Sequence, residues 1–151
     1  MQDTLRPGLT ATMDYEVPVE RTVPHLLPEA PHFREMPEVL ATGYMVGLIE
    51  WTCMQALDGH LSDGEKTVGV HVDLSHEGAT PIGQPVHFKV ELTDVTERGK
   101  LTFAVEATDD KGFICRGTHG RAVIDVARFE ARLDKRRLAS AVTLSEIETA
   151  R

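Results

Sequence analysis

Cysteine is scarce: two in 151 residues, Cys53 and Cys115, with no CxxC or other metal-ligand spacing. That excludes a disulfide scaffold and a zinc ribbon, and no metal is expected. Basic residues are also too few for a nucleic-acid binder. Sixteen lysines and arginines face twenty-four acids, a formal net charge of −8, whereas a phosphate backbone wants a basic face. Local cations could still hold a phosphorylated small molecule. The N-terminus "MQDTLRPGLT" lacks the apolar run of a secretion signal. The longest apolar run is about fifteen residues with a glutamate inside, too short and too polar to span a bilayer. A cytoplasmic protein with no membrane partner is expected. No repeats or low-complexity tracts are present, and the length suits one ordinary domain with its own core.

What remains is strongly patterned. Residues 12–19 alternate Met13, Tyr15, Val17 and Val19 against polar neighbours, a strand signature. Residues 24–37 carry four prolines with His25, His32 and Phe33, an irregular loop of the length that lids have. "GYMVGLIEWTCMQAL" (43–57) then reads as a helix of about four turns, apolar on every side and hence buried. Thr42 is its expected N-cap, and Asp58-Gly59 its stop. Four strand-like runs follow (67–80, 84–97, 100–109 and 112–127), joined by the hairpin-grade connections "PIG", "RG" and "DK". The order is strand, lid, buried helix, four-stranded antiparallel meander. A curved sheet wrapped around one long helix satisfies it. This is an α+β hot-dog fold, expected over residues 1–128, with a charged and partly helical tail over 129–151.

Glu50 sits in the middle of the apolar helix. Its neighbours at i±3 and i±4 are Val46, Gly47, Cys53 and Met54, none able to neutralise it. A buried carboxylate without a partner costs several kcal/mol or protonates. Glu50 therefore needs a partner from elsewhere in the fold, or a pocket reached by water. A structural carboxylate accounts for it about as well as a catalytic one. In the strand from Val68, alternation sends Val68, Val70, Val72 and Leu74 one way, and His76 falls in register with them, toward the helix. A satisfied core histidine is the commoner case. The coincidence of one carboxylate on the helix and one inward imidazole on the strand covering it points instead to an acid–base unit. Thr42 at the helix start could also offer its hydroxyl and nearby N–H groups to an anion. Gly69 would let a backbone N–H approach a ligand, or mark a bulge.

"MPEVL" (36–40), "ATGYMVGLIEW" (41–51), His76 in "DLSHEGATP" and "GTHGRAVI" (117–124) resemble the fluoroacetyl-CoA thioesterase family of hot-dog proteins. The resemblance runs from about "VPVERTVPHLLPE" to "GTHGRAVIDVARF". It implies a homodimeric acyl-CoA hydrolase needing no cofactor, coenzyme A being part of the substrate. It implies a catalytic set falling on Thr42, Glu50 and His76, an acyl-carbonyl site involving Gly69, and a place for Arg121 near the coenzyme or the site. The family's lid carries two phenylalanines; Phe33 matches the first, and Met36 stands at the second. This departure bears on acyl selectivity and leaves fluoroacetyl-CoA as one candidate among short acyl-CoAs. Two other readings share the fold: an acyl-CoA hydratase or dehydratase, whose Asp/His motif is not found, and a non-catalytic acyl-CoA binding module.

Overall fold

The structure, a computed structural model, describes residues 1–149, and side-chain surroundings through residue 138. Five strands form one antiparallel sheet: β1 (Thr10–Glu16), β2 (Glu65–Leu74), β3 (Pro85–Val95), β4 (Lys100–Asp109) and β5 (Gly112–Asp125), in the order β1-β3-β4-β5-β2. Two four-residue helices, α1 (Val23–Leu26) and α2 (Pro31–Arg34), occupy the expected lid. The central helix α3 runs Thr42–Ala56, and α4 runs Val126–Thr149. The expected α+β architecture is present, but the expected four-stranded meander is not: only β3, β4 and β5 run as one, β2 pairs with β5, and the connection through "PIG" is a crossover rather than a hairpin turn, which lets β1 take the place beside β3. The expected tail is helical from Val126 through Thr149; its last two residues lie outside the described part. No described helix is long and apolar enough to cross a membrane.

The core forms where α3 meets the sheet. Met45, Leu48, Ile49 and Cys53 pack against Phe88, Val90, Leu92, Leu101, Phe103 and Val105, all buried. These strand residues alternate with exposed ones along β3 and β4, as a sheet with one buried face requires. Each fully buried branched or aromatic side chain contributes about 1.5–3 kcal/mol, so this interface fixes the helix on the sheet.

Burial corrects one expectation. The helix is not covered all round: Trp51 is 52% exposed and Met54 46%, and Gly43, Gly47 and Gln55 are exposed with them. These residues form a stripe at helical spacing. The apolar composition therefore serves two faces, one on the sheet and one left open.

The lid is anchored at both ends. Thr22 and Leu40 form an isolated antiparallel bridge, and Ala41 N–H donates to Arg21 O. A loop with its ends pinned together is a compact flap rather than a tether. Leu26 lies over the start of α3, its methyls 3.2 Å from where a Cβ on Gly43 would stand. The Tyr44 hydroxyl donates to His25 O at 3.2 Å.

On β2 the simple alternation breaks. The register with β5 shifts between Gly69 and His71, leaving Val70 as the extra residue of a bulge. Before it, Gly69 lies opposite Arg121; after it, Val72 lies opposite His119 and Leu74 opposite Gly117. Directly opposed residues share a face. Gly69 is therefore on the helix side with Val72 and Leu74, and Val68 is not. The expected single row of four inward residues holds only beyond the bulge. β2 is also an edge strand, and its Val70 and Val72 are 57% and 48% exposed.

Candidate active site

The start of α3 differs from expectation in a useful way. Ala41, not Thr42, is the N-cap, and no side chain caps the helix. Thr42 is the first helical residue. Its hydroxyl, free of capping duty, lies 2.7 Å from His76 Nδ1. His76 arrives from the end of β2 on the parity of Val72 and Leu74, as the sequence implies. The strand contacts continue past Leu74, Ser75 N–H donating to Arg116 O and Glu77 N–H to Ile114 O. His76 Nε2 is buried with no hydrogen-bond partner. Burial lowers the His76 pKa below its ordinary value, so the imidazole is neutral near pH 7 and able to take a proton. The first-turn N–H groups of α3 open beside this pair.

Glu50 stands eight residues further along α3, about 12 Å by helical rise. Its carboxylate has two partners that sequence reasoning did not assign to it. His119 Nε2 lies 3.5 Å from Oε1, and Arg121 Nη1 lies 3.6 Å from Oε2. His119 is fully buried and Arg121 only 2% exposed, while the Glu50 side chain is 37% exposed. The guanidinium is fixed in turn by Thr67, through Nε to its hydroxyl at 2.9 Å and Nη2 to its carbonyl at 3.0 Å. Arg121 Nη1 also lies 3.3 Å from His119 Nε2. Glu50 is thus a carboxylate with a buried cation beneath it and one side open. Gly69 makes room for it: a Cβ there would collide with Glu50 Oε1.

His119 carries no motif of its own in the sequence. The usable signal was parity: in "THGRAV", His119 and Arg121 alternate in step with Val123 on an internal strand, and two large polar residues at inward positions need a common partner. Burial lowers the His119 pKa, Glu50 opposing and Arg121 reinforcing the shift. His119 therefore folds neutral, and Arg121 carries the charge that faces Glu50. Protonation favours the unfolded chain, so stability is full above about pH 6.5, the ordinary histidine value, and declines as pH falls below it. Thermal melts from pH 7.5 to 5 are expected to show a falling Tm, with a shallower fall in His119→Gln. An equally steep fall in that variant would show that another group governs the acid sensitivity.

The remaining expected residues lie in the lid. Phe33 is partly buried in α2, and Met36 is 51% exposed just beyond it. Arg121 lies beneath Glu50, with its contacts to Thr67, His119 and Glu50. The structure therefore brings Thr42 to His76, and Gly69 and Arg121 to Glu50, as two clusters along one helix.

A family model described as fluoroacetyl-CoA-specific thioesterase matches residues 23–127. The chain belongs to that family. It is 44% identical over 133 residues to the fluoroacetyl-CoA thioesterase of Streptantibioticus cattleyicolor, covering 88% of this chain and 95% of that one. A solved structure of a fluoroacetyl-CoA thioesterase superposes with a TM-score of 0.84 at 44% identity, over 88% of this chain and 98% of the other. A variant of such an enzyme, solved with fluoroacetate and CoA, superposes at 0.79 with 45% identity, over 83% and 99%. A hot-dog-like protein from Thermanaerovibrio acidaminovorans, 22% identical with a TM-score of 0.74 over 86% and 91%, shares the fold. Family membership makes the chain an acyl-CoA thioesterase rather than a hydratase or a non-catalytic module.

Proposed function

We propose that the chain hydrolyses short acyl-CoA thioesters, fluoroacetyl-CoA among them, as a cytoplasmic homodimer whose active site is shared between two copies. The observation that carries this is the separation of Thr42–His76 from Glu50 along α3. Residues about 12 Å apart by helical rise do not readily bring their side chains onto one thioester carbon within a single chain. A second copy removes the difficulty. The open edge of β2 invites antiparallel pairing with itself. A pairing centred on Val72 sets Gly69 of one copy opposite Ser75 of the second copy. Glu50, which rests against Gly69, then comes beside the Thr42–His76 pair of the second copy. The same pairing covers Val70 and Val72 and brings the open stripe of α3 toward the interface.

In this arrangement the N–H groups at the start of α3 receive the thioester oxygen as charge develops on it. Glu50 delivers the nucleophile, by direct attack or through a water molecule. His76, neutral at rest, takes a proton from the water consumed in the hydrolysis and passes it to the departing thiolate, with Thr42 fixing the ring. No cofactor beyond the substrate's own coenzyme A is required. Two free, buried cysteines accord with a reducing compartment.

The lid sets the acyl range. Phe33 and Met36 flank the turn after α2, Met36 N–H donating to Phe33 O at 3.1 Å. Methionine adapts its shape where phenylalanine does not, and an apolar wall discriminates by only about 1–3 kcal/mol per methylene. The test is kcat/KM, by thiol release, for fluoroacetyl-, acetyl-, propionyl- and longer acyl-CoAs. Short chains are expected to be favoured, with weak discrimination against acetyl-CoA that sharpens in Met36→Phe. A preference for long chains would overturn the small-pocket reading.

A further inference from the structure

The chain that carries His76 from β2 toward β3 has no regular structure from Ser75 to Thr80. Its first part is held by β5. Ser75 and Glu77 donate their N–H groups to Arg116 O and Ile114 O, and a Cβ on Gly78 would stand 2.7 Å from Ile114 Cγ2. Beyond Gly78 the backbone hydrogen bonds to β5 stop among the described residues, so the segment needs another anchor. Thr80 supplies it. Its residue is fully buried, and its hydroxyl donates to Asp109 Oδ2 at 3.0 Å. Asp109 ends β4, and its other oxygen accepts Lys111 N–H at 2.8 Å. One carboxylate thus ties the β4–β5 turn to itself and to the chain bearing His76. The sequence prepares a stiff residue here: Pro81 disfavours the helical region for Thr80, and β-branching narrows its rotamers.

The backbone of Thr80 makes a second tie. Its carbonyl accepts Leu40 N–H at 2.8 Å, and Pro81 forms an isolated antiparallel bridge with Val39. Leu40 stands two residues before Thr42, and Thr80 four residues after His76. The two segments therefore close a small ring, pinned at one end by Leu40 and Thr80 and at the other by the 2.7 Å contact of Thr42 with His76. The hydrogen bonds of the Ser75 hydroxyl, to Glu77 and to Arg116 O, are exposed, and Glu77 approaches Arg116 only to 3.8 Å. A hydroxyl donating to a carboxylate is stronger than a neutral pair. Valine would fill the same space without it, so the hydroxyl serves attachment rather than packing.

We propose that Thr80, held by Asp109, is a positioning residue for the Thr42–His76 pair. The proposal rests on the thioesterase reading of that pair. The Thr80 hydroxyl is committed to Asp109, so its effect on the reaction passes through His76. It sets where the segment bearing the imidazole lies relative to the first turn of α3. Without this attachment the segment keeps its bonds to β5 at one end and shifts at the other, and the ring leaves hydrogen-bond range of the Thr42 hydroxyl. A displacement of about 1 Å at such a group costs about a hundredfold in rate.

The test compares full-length Thr80→Val, Thr80→Ser and Asp109→Asn with the wild type, by acyl-CoA hydrolysis and by crystal structure. Thr80→Val is expected to lose roughly tenfold to a hundredfold in kcat with little change in KM, and Thr80→Ser to recover most of that loss. Asp109→Asn keeps an oxygen acceptor without the charge and is expected to lose less; it is read in the same way should Thr80→Val fail to fold. The same substitution is then made in a Thr42→Val background. If Thr80 acts through the pair, its effect on kcat largely vanishes there, because the pair is already broken, while its effect on Tm persists. A full further loss of kcat in that background makes Thr80 a structural residue and overturns the proposal, as does wild-type kcat in Thr80→Val alone. The Thr80→Val structure is expected to show Thr42 Oγ1 and His76 Nδ1 out of hydrogen-bond range. An unchanged contact overturns the proposal even where turnover falls. A wild type that cleaves no acyl-CoA sinks the thioesterase reading alone, and the Thr42–His76 distance then decides the positioning.

Discussion

Co-expressed Glu50→Gln and His76→Ala chains are expected to regain about a quarter of wild-type activity, although either variant alone is nearly silent. Each substitution removes a group placed to deliver the nucleophile or move a proton, worth about a hundredfold to ten-thousandfold in rate. Random pairing makes half of the dimers mixed. If each site draws Glu50 from one copy and His76 from the other, a mixed dimer has one intact site and one doubly defective site. If each site were complete within a single chain, no mixed dimer would contain an intact one, and the mixture would stay silent. The measurement is thus kcat of the purified mixture against the separate variants. Glu50→Gln preserves the shape beneath Gly69 and an acceptor for His119, so its loss reports the carboxylate rather than the fold. Recovery at the background level would refute the shared site while leaving the roles of the two residues intact.

Gly69→Ala is expected to cost about a hundredfold in kcat with only a modest fall in Tm. The added Cβ would collide with Glu50 Oε1 and lie 3.2 Å from Glu50 Cδ and 3.4 Å from His119 Cε1. The carboxylate is the far end of a flexible side chain, so it swings aside at little steric cost. What is lost is its position over Arg121, and a displacement of about 1 Å at a reacting group costs about a hundredfold. Arg121, 2% exposed, is left facing a more distant anion, which accounts for the fall in Tm. The backbone itself is not strained, because Gly69 does not adopt a positive φ. Near-wild-type kcat in Gly69→Ala would mean that the placement of Glu50 over Arg121 does not govern turnover.

How much of this was legible beforehand follows from which signals are local. The buried face of α3 and the alternation along the strands leave periodic traces, so the helix, the strands themselves and the inward parity of His76 could be read directly, whereas the pairing of β2 with β5 in place of β3 could not, because strand order leaves no local trace. The bulge at Val70 could not. It adds one residue without changing composition, and it moves Gly69 onto the helix face where simple alternation puts Val68. Thr42 was legible as a helix start, but whether its hydroxyl caps the backbone or meets His76 depends on a strand 34 residues away. The same holds for Glu50. Its need for a partner was evident from its apolar neighbours, yet that partner is a pair of residues about seventy positions later. Two of the three polar residues in that cluster look unremarkable until the strands are paired.

The open stripe on α3 has one more consequence. Trp51 is the only tryptophan in the chain, and it lies on that stripe, half in water. The protein therefore carries its one indole fluorophore at the place where a second copy would settle. Indole emission shifts to the blue as water leaves the ring, so the colour of this one residue registers whether the helix face is covered, with no label added and no other indole to dilute the signal.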